Sequence, residues 1–308
     1  MRQADIALAE FAPSIWVARA SRRLDNYWQL TKPKVVAAIA FTAIVGMLLA
    51  GRGLPPLYLA LRATLGIWLA AASAAALNHV LDRKFDAEMR RTRRRPLPSG
   101  QLSTRAALTF AGTLGVLSML ILAWSVNLLT ALLTFASLIG YSVLYTVWLK
   151  HLTPQNIVIG GAAGAMPPVL GWAAVTNGIS ADAWLLFGII FTWTPPHFWA
   201  LAVARRDEYA KAGIPMLPVT HGVEFTCTSI LLYTVLLGAV TTLPYLTGMS
   251  GLIYLGGALL LNAVFLRDAL ALRASPNPQL AIRTFRHSIH YLLLLFTFLL
   301  VDHYGRAA

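Results

Sequence analysis

Residues 65–100, "LGIWLAAASAAALNHVLDRKFDAEMRRTRRRPLPSG", join a long apolar run to a strongly basic segment. The apolar part extends upstream and reaches the length that a helix needs to cross a membrane. Apolar runs of this length recur along the whole 308-residue chain, which is 57% hydrophobic and only 12% charged. A soluble domain usually has about twice that charged fraction. The sequence therefore predicts an all-α, polytopic membrane protein.

Nine transmembrane helices are expected from these apolar runs, with ends good to a few residues. They are placed at residues 35–51, 57–81, 105–125, 128–149, 156–175, 183–204, 225–246, 250–272 and 286–303. Residues 31–308 then form a single transmembrane domain. Residues 1–30 form an N-terminal tail, which is either disordered or, over residues 14–30, an amphipathic helix on the membrane surface.

Basic residues fall mainly on one side of this predicted topology. Of the 25 lysines and arginines, 22 lie in the N-terminal tail and in loops and helix ends on one side, leaving Arg52, Arg62 and Arg306 on the other. The positive-inside rule makes the first side cytoplasmic, with the N-terminus inside and the C-terminus outside. Topology thus accounts for most of the net charge of +13, and we expect no nucleic-acid partner.

Three oxygen-bearing side chains end the second predicted helix at a spacing of four residues. Asn78, Asp82 and Asp86 share one helix face at this spacing. Mg²⁺ takes oxygen ligands, commonly one or two carboxylates together with phosphate oxygens. Arg91 and Arg95 follow with forked donors that match phosphate. The pattern predicts a magnesium-dependent diphosphate site; the alternative is that the carboxylates end the helix in water and pair with nearby arginines.

The sixth predicted helix ends in a similar way. Helix 2 leads through "LDRKFDAEMRR" to "RPLPSG", and helix 6 leads through "ARRDEYAKAG" to "IPMLPVTHG". This similarity between two helix ends favours a bundle of two four-helix halves plus one helix, arranged around a central cavity that is open to the cytoplasm. Asp207 and Glu208 are then further candidate metal ligands, and Arg206 and Lys211 candidate phosphate-binding residues. The alternative is a solvated charged loop.

The end of helix 4, "YTVWLKHLTPQN", offers Tyr145 and Lys150 on the same side. A lysine there can hold a phosphate as a point charge, or can simply extend towards water from a membrane helix. Helices 5 and 6 contain the proline pairs of "GGAAGAMPPVLGW" and "FTWTPPHFWAL". Paired prolines disrupt the backbone hydrogen bonds, which membranes tolerate where a cavity is lined.

Four stretches closely resemble the protohaem IX farnesyltransferases (haem O synthases), a branch of the UbiA-type intramembrane prenyltransferases. They are "NHVLDRKFDAEMRRTRRRPLPSG", "YTVWLKHLTPQNIVIGGAAGAMPPVLGWAAVTNG", "FTWTPPHFWALAVARRDEYAKAGIPMLPVTHG" and "RTFRHSIHYLLLLFTFLLVDH". The likeness runs from Tyr27 to His303. The Asn-x-x-x-Asp-x-x-x-Asp motif marks the superfamily, whereas the "TPQNIVIGG" and "WTPPHFWAL" blocks belong to the haem branch.

The resemblance implies transfer of a farnesyl group from farnesyl diphosphate to a vinyl group of haem B, with addition of water. The products are haem O, for terminal oxidases, and diphosphate. It implies that Asn78, Asp82 and Asp86 hold diphosphate through Mg²⁺ and that Arg91, Arg95 and Lys150 match family residues. A bacterial inner membrane is the implied location, with access from membrane lipid. Delivery of the insoluble product to a haem A synthase would suit such an enzyme.

His197 lies within "WTPPHFWAL" beside Pro195 and Pro196. It either contacts haem, as an iron ligand or a hydrogen-bond donor to a propionate, or braces the proline break by bonding a freed carbonyl. Competing functions for the whole chain are prenylation of a quinone precursor or chlorophyll-type ring, transport, and assembly of an oxidase. The carboxylates lie at helix ends rather than near the membrane midplane, which argues against a transporter.

Overall fold

A computed structural model describes residues 21–307 of the chain. Residues 14–20 of the predicted amphipathic helix lie outside the described residues. Every regular element within the described range is a helix. The expected all-α architecture is therefore confirmed.

The described part of the chain forms fourteen helices, numbered in chain order. They are α1 Ser21–Leu30, α2 Pro33–Leu49, α3 Leu57–Leu81, α4 Arg83–Glu88, α5 Thr104–Ser125, α6 Leu128–Leu149, α7 Asn156–Ala165, α8 Pro167–Thr176, α9 Ala181–Ala204, α10 Arg206–Lys211, α11 Leu217–Thr220, α12 Val223–Leu246, α13 Leu252–Ala274 and α14 Pro278–Ala307. A single short turn, Lys150–Leu152, extends α6.

The number of membrane spans depends on how α1 and α2 are counted. Eight segments of the described chain are long and apolar enough to cross a membrane, with α7 and α8 counted together. A ninth is reached when α1 and α2, which are bent by 52°, form one broken span. In either case the chain is a polytopic membrane protein, as its sequence predicts.

The last predicted span, 286–303, begins too late. Helix α14 already starts at Pro278, inside the basic segment "SPNPQLAIRTFRH" that hydropathy excludes. The Asn277 side chain accepts a hydrogen bond from the Leu280 amide at 2.9 Å. An asparagine cap followed by proline at the first helical position is a strong helix start, and it extends the helix beyond its apolar part.

The two proline pairs behave differently. Pro167 and Pro168 divide the fifth predicted span at Met166 into α7 and α8. The break expected at Pro195–Pro196 is wrong, because both prolines lie within the continuous helix α9. Helix α9 packs against α7, α12 and α14, and these contacts stabilise it through a segment that lacks two backbone donors.

The helices pack as two groups with the fifth span between them. Helices α2, α3, α5 and α6 form a first group, α9, α12, α13 and α14 form a second, and α8 and α7 contact α2 and α9 respectively. Glycines allow the closest approach: a Cβ added to Gly46 would lie 2.1 Å from the carbonyl oxygen of Pro168, and one added to Gly171 would lie 1.9 Å from that of Ala43. Small residues of this kind permit tight helix contacts in membranes.

Candidate functional site

The three polar residues that end α3 stay on one face across the start of α4. The Asp82 amide donates to the Asn78 carbonyl at 2.9 Å, and the Asp86 amide donates to the Asp82 carbonyl at 2.8 Å. Helical hydrogen bonding thus passes through Asp82, although α3 itself ends at Leu81. The Asn78 side-chain amide also donates to an Asp82 carboxylate oxygen at 2.8 Å. The oxygen stripe expected from the spacing is present.

Both carboxylates are buried and paired with cations. Asp82 and Asp86 are only 4% and 5% exposed, so they do not end the helix in water. Lys150 Nζ lies 2.6 Å from Asp82 Oδ2. Arg95 Nη1 lies 2.7 Å from Asp86 Oδ2, as the alternative interpretation of a nearby arginine partner expects. Lys150 comes from the end of α6, so the site joins two helices that are distant in sequence.

Lys32 is a member of this cluster that was not anticipated from the sequence. Its ammonium donates to the Asn78 side-chain oxygen. Lys32 precedes Pro33, the first residue of α2, and has a left-handed backbone with φ 49°. Burial, followed by the nearby Arg95 guanidinium, lowers the pKa of Lys32 from 10.5 to about 7. The only available signal was a lysine at the break before the first span, in "QLTKPK".

The charges around α3 favour a bound anion. Arg95 and Lys150 contact the two carboxylates, and Lys32 contacts Asn78 beside them as a third basic group, which a bound anion would keep protonated. A cluster with surplus positive charge that is partly shielded from water attracts a multiply charged anion strongly. Arg91 is exposed in the loop after α4 and, like Arg95, lies within electrostatic range of Tyr209. A diphosphate group is an anion of suitable charge and size.

The donor set also fits a divalent metal in part. Asp82 Oδ1 is buried without a hydrogen-bond partner in the described chain, which leaves one carboxylate oxygen for a further ligand. Among the described side chains of residues 21–150 and 152–306, no group of three or more histidine, cysteine or acidic residues is arranged to hold a metal. Asp207 and Glu208 therefore do not join Asp82 and Asp86 in one preformed cluster. Mg²⁺ commonly uses one or two carboxylates and completes its shell with substrate phosphates and water.

The second acidic pair lies at the start of α10. Arg205 Nη1 contacts Glu208 Oε1 at 2.9 Å, and Glu208 Oε2 is buried without a partner in the described part of the chain. Arg206 and Asp207 are exposed and, with Glu208, line a pocket of about 390 Å³ that also includes Asn277. Lys211 is exposed at the end of α10. Arg206, Asp207 and Glu208 therefore line a pocket, and Lys211 is not among its lining residues.

Aromatic residues lie between the two polar regions. Tyr209 is buried, which raises its pKa, and it lies within electrostatic range of Arg91, Glu208 and Arg95. Tyr145 lies within such range of both Tyr209 and Asp82, and it stacks on Tyr141 with ring centroids 5.5 Å apart. The arrangement connects the two acidic helix ends through tyrosine side chains.

Tyr141 and Tyr145 lie in the second half of α6, where the helix has π geometry. Residues Gly140–Leu149 form a π-helix, a rare geometry that often occurs at functional sites. Thr146 Oγ1 donates to the Tyr141 carbonyl at 2.9 Å and accepts from the Asn78 amide at 3.3 Å. Gly160 of α7 allows close packing, since a Cβ there would lie 2.1 Å from the Tyr145 ring. The wider helix thus turns Thr146 and Tyr145 towards the site.

His197 is buried in α9, away from this polar cluster, and it bonds a residue of α14. Its Nδ1 lies 2.6 Å from Ser288 Oγ, and Ser288 Oγ lies 2.7 Å from the Phe285 carbonyl oxygen. A carbonyl only accepts, so the serine proton points to Phe285 and the serine oxygen accepts from Nδ1–H. Nε2 then carries the lone pair. The expected bond to a carbonyl freed by the prolines is wrong, because the partner is a serine side chain.

Aromatic rings hold the His197 imidazole in place. Trp193 and Phe285 stack on it with ring centroids 4.2 Å and 4.5 Å away. Trp193 Nε1 also donates to the Ser288 carbonyl at 2.8 Å. Because these two rings cover the faces of the imidazole, a ligand can approach only its edge, where Nε2 lies. Ser288 was not identified from the sequence, where a lone serine in an apolar helix carries no signal.

Known proteins are similar to this chain over most of its length. The sequence pattern of the UbiA prenyltransferase family matches residues 39–298. A protein of Xylella fastidiosa (strain 9a5c) named protoheme IX farnesyltransferase is 60% identical over 293 residues, covering 93% of this chain and 97% of that protein. A protein of the same name from Methylococcus capsulatus (strain Bath) is 60% identical over 279 residues, or 91% and 94% of the two chains.

Solved structures match the fold at much lower identity. A digeranylgeranylglyceryl phosphate synthase structure superposes with a TM-score of 0.77 at 18% identity, over 92% of this chain and 99% of that one. A UbiA homologue from Archaeoglobus fulgidus, bound to DMAPP and Mg²⁺, gives a TM-score of 0.61 at 17% identity, over 89% and 99% of the chains. At these identities the likeness concerns the fold alone.

Proposed function

The chain belongs to the UbiA prenyltransferase family, and we propose that it transfers a farnesyl group from farnesyl diphosphate to a vinyl group of haem B. Water adds in the same reaction, and the products are haem O and diphosphate. Relatives that are 60% identical over most of their length and are named protoheme IX farnesyltransferase support this substrate pair. The observation that carries the proposal is the gathering of Lys32, Arg95 and Lys150 around the carboxylates of Asp82 and Asp86.

The cations bind the diphosphate and stabilise it as a leaving group. Negative charge accumulates on diphosphate as its bond to farnesyl breaks, so fixed cations interact more strongly with the transition state than with the substrate. Lys150 and Arg95 are held by the buried carboxylates and need little reorganisation. Arg91, exposed beside them, adds a forked donor at the rim, and Arg206 and Lys211 do the same beside the second pocket.

Mg²⁺ would be held by Asp82 and Asp86 together with the Asn78 amide oxygen. Asp207 and Glu208 would hold a second ion. Bound there, the metal would supply Lewis-acid stabilisation of negative charge on the diphosphate. The unpartnered oxygens Asp82 Oδ1 and Glu208 Oε2 support this assignment, as does the fold shared with a homologue bound to DMAPP and Mg²⁺.

The transfer needs a site that excludes water until the carbon–carbon bond has formed. The bond between the farnesyl carbon and diphosphate oxygen breaks with its electron pair leaving on oxygen, and the vinyl π electrons form the new bond. Water then adds to the cation on the former vinyl group and releases a proton. Tyr141 and Tyr145 offer π faces next to Asp82, where an allylic cation would form. Early capture by water would consume that cation.

Haem B is bound on the side of α9 and α14. His197 offers its Nε2 lone pair as an axial ligand to the haem iron, since Nδ1 is engaged by Ser288. His197 lies seven residues, or about 10 Å, before the end of α9 at Ala204, and Asp207 and Glu208 follow in α10. A farnesyl chain anchored at the cytoplasmic cations extends a comparable distance inward. The two substrates can therefore meet inside the bundle.

The protein acts in a bacterial inner membrane, with its N-terminus in the cytoplasm and its C-terminus outside. The unequal distribution of lysine and arginine supports this orientation. Residues 31–308 act as one unit, both substrates reach it from membrane lipid, and its product passes to a haem A synthase. Accessibility of tags at Met1 and after Ala308, measured in intact cells, tests the orientation. Two tags on the same side would contradict it.

The direct test is incubation of the purified protein with haem B, farnesyl diphosphate and Mg²⁺, followed by chromatography and mass spectrometry of the porphyrins. The expected product has the mass of haem B plus a farnesyl group and a hydroxyl group, because the added water releases a proton. A protein that leaves haem unchanged but prenylates an aromatic quinone precursor would contradict the proposal and favour a sister branch of the family.

A further inference from the structure

His79 is buried beside the oxygen stripe without any hydrogen-bond partner. It is 2% exposed, and within the described chain neither of its ring nitrogens has a partner. Buried polar atoms are nearly always hydrogen-bonded, because an unpaired donor loses its bond to water and gains nothing in return. An orphaned imidazole therefore indicates that a ligand or an ordered water completes its bonding.

The position of His79 on the helix points to the same site. It follows Asn78 directly and precedes Asp86 by seven residues, and seven residues return to nearly the same side of a helix. Lys32 and Arg95 both lie within electrostatic range of the imidazole. These are the cations that contact Asn78 and Asp86. His79 thus lies among the groups that surround the proposed diphosphate.

The surrounding charge decides the class of ligand. Two nearby basic groups, Lys32 and Arg95, disfavour a bound cation at His79. An imidazole always carries at least one N–H donor, and an anion is the partner that such a donor and these basic groups share. Apolar substrate atoms would leave both nitrogens unpaired.

We propose that His79 is a further substrate-binding residue, whose ring N–H donates a hydrogen bond to a non-bridging oxygen of the prenyl diphosphate. This inference rests on the proposed function, because it assigns the anion to the substrate of that site. It extends the anion site to a histidine whose buried ring nitrogens have no hydrogen-bond partner among the described residues.

Two substitutions separate binding from packing. His79→Leu removes the donor, and His79→Gln retains an N–H donor. Binding of inorganic diphosphate with Mg²⁺ is measured by calorimetry, and KM is measured for each substrate. We expect His79→Leu to weaken diphosphate binding and raise KM for farnesyl diphosphate about tenfold or more, the loss expected for one hydrogen bond to a charged group. KM for haem should stay within about twofold, and His79→Gln should recover most of the loss.

His303→Leu is the matched control. His303 bonds the Gly51 carbonyl near the opposite end of the helices, so the same change there should leave diphosphate binding unaltered. If His79→Leu binds diphosphate like the unmodified protein and unfolds at a higher temperature, the histidine is only an unsatisfied packing residue and the proposal is overturned.

A measurement on the unmodified protein covers the case in which His79→Leu fails to fold. In protein labelled with ¹⁵N-histidine, Mg²⁺ and diphosphate should move one ring N–H proton resonance downfield, and that resonance should be absent from His79→Gln. If no ring resonance responds to saturating diphosphate, the proposal is overturned. Because this titration uses no haem, its outcome is separable from a failure of the protein to form haem O.

Discussion

Lys150, at the end of α6, lies 2.6 Å from the carboxylate of Asp82, at the end of α3. The two side chains are only 13% and 5% exposed, so the pair is shielded from water. Asp82 Oδ2 also accepts from Asn78, whose side-chain oxygen accepts from Lys32. One buried carboxylate therefore organises residues from three separate helix ends.

Removal of Lys150 should affect stability and turnover separately. In Lys150→Met the buried Asp82 carboxylate loses its cation, which should destabilise the fold by about 3 kcal/mol and lower Tm. Lys150→Met combined with Asp82→Asn should recover much of that stability, because no uncompensated charge remains. Neither protein should form haem O. Lys84→Met, at an exposed position, is the control for loss of a lysine. Full activity in the stable double variant would disprove a diphosphate role for the pair.

Replacement of Arg95 and replacement of Arg91 should affect protein stability differently but should affect KM for farnesyl diphosphate in the same way. Arg95 bonds Asp86, whereas Arg91 is exposed in the same loop. Both Arg95→Gln and Arg91→Gln should raise KM for farnesyl diphosphate well above any change in KM for haem, because each loses a phosphate donor. Only Arg95→Gln should lower Tm.

Arg93→Gln, in the same loop and exposed, is the matched control for these two variants. It should leave both KM values unchanged. If Arg91→Gln and Arg95→Gln raise the KM values for haem and farnesyl diphosphate equally, the arginines stabilise the loop rather than bind diphosphate.

The parts of the site that follow from local spacing could be predicted from the sequence. Asn78, Asp82 and Asp86 share a helix face because they are four residues apart, whatever surrounds them. The apolar lengths of the helices follow equally from composition. The start of α14 could not be predicted from hydropathy, because an asparagine cap and Pro278 extend it into a basic segment.

The contacts between distant helices could not be predicted in this way. Lys32 reaches Asn78 because its backbone adopts a left-handed conformation at the break between α1 and α2, and nothing in its residue type requires this. Ser288 meets His197 through the packing of α14 on α9. The π-helix of α6 contains no proline or other residue from which it could be predicted, yet it determines where Tyr145 and Thr146 point. Tertiary packing decides each of these features.

His197 and Ser288 should change the haem spectrum in different ways. If His197 Nε2 ligates the iron, His197→Ala should weaken haem binding and shift the Soret band of the purified complex. Ser288→Ala removes the acceptor that holds Nδ1–H but leaves the histidine in place. The Soret band should therefore stay at the position of the unmodified complex, and haem affinity should fall by a smaller factor than in His197→Ala. An unchanged spectrum with a lower Tm in His197→Ala would instead indicate a packing role.

Haem O formation by Asp82→Asn and Asp86→Asn, measured beside the unmodified protein, tests the central claim most directly. Asparagine preserves size and hydrogen bonding but removes the negative charge that would hold Mg²⁺. The account predicts folded variants with haem O output at or near zero. It also predicts that EDTA stops the unmodified protein and that added Mg²⁺ restores it. Near-normal haem O from either variant, or turnover that persists in EDTA, would contradict it.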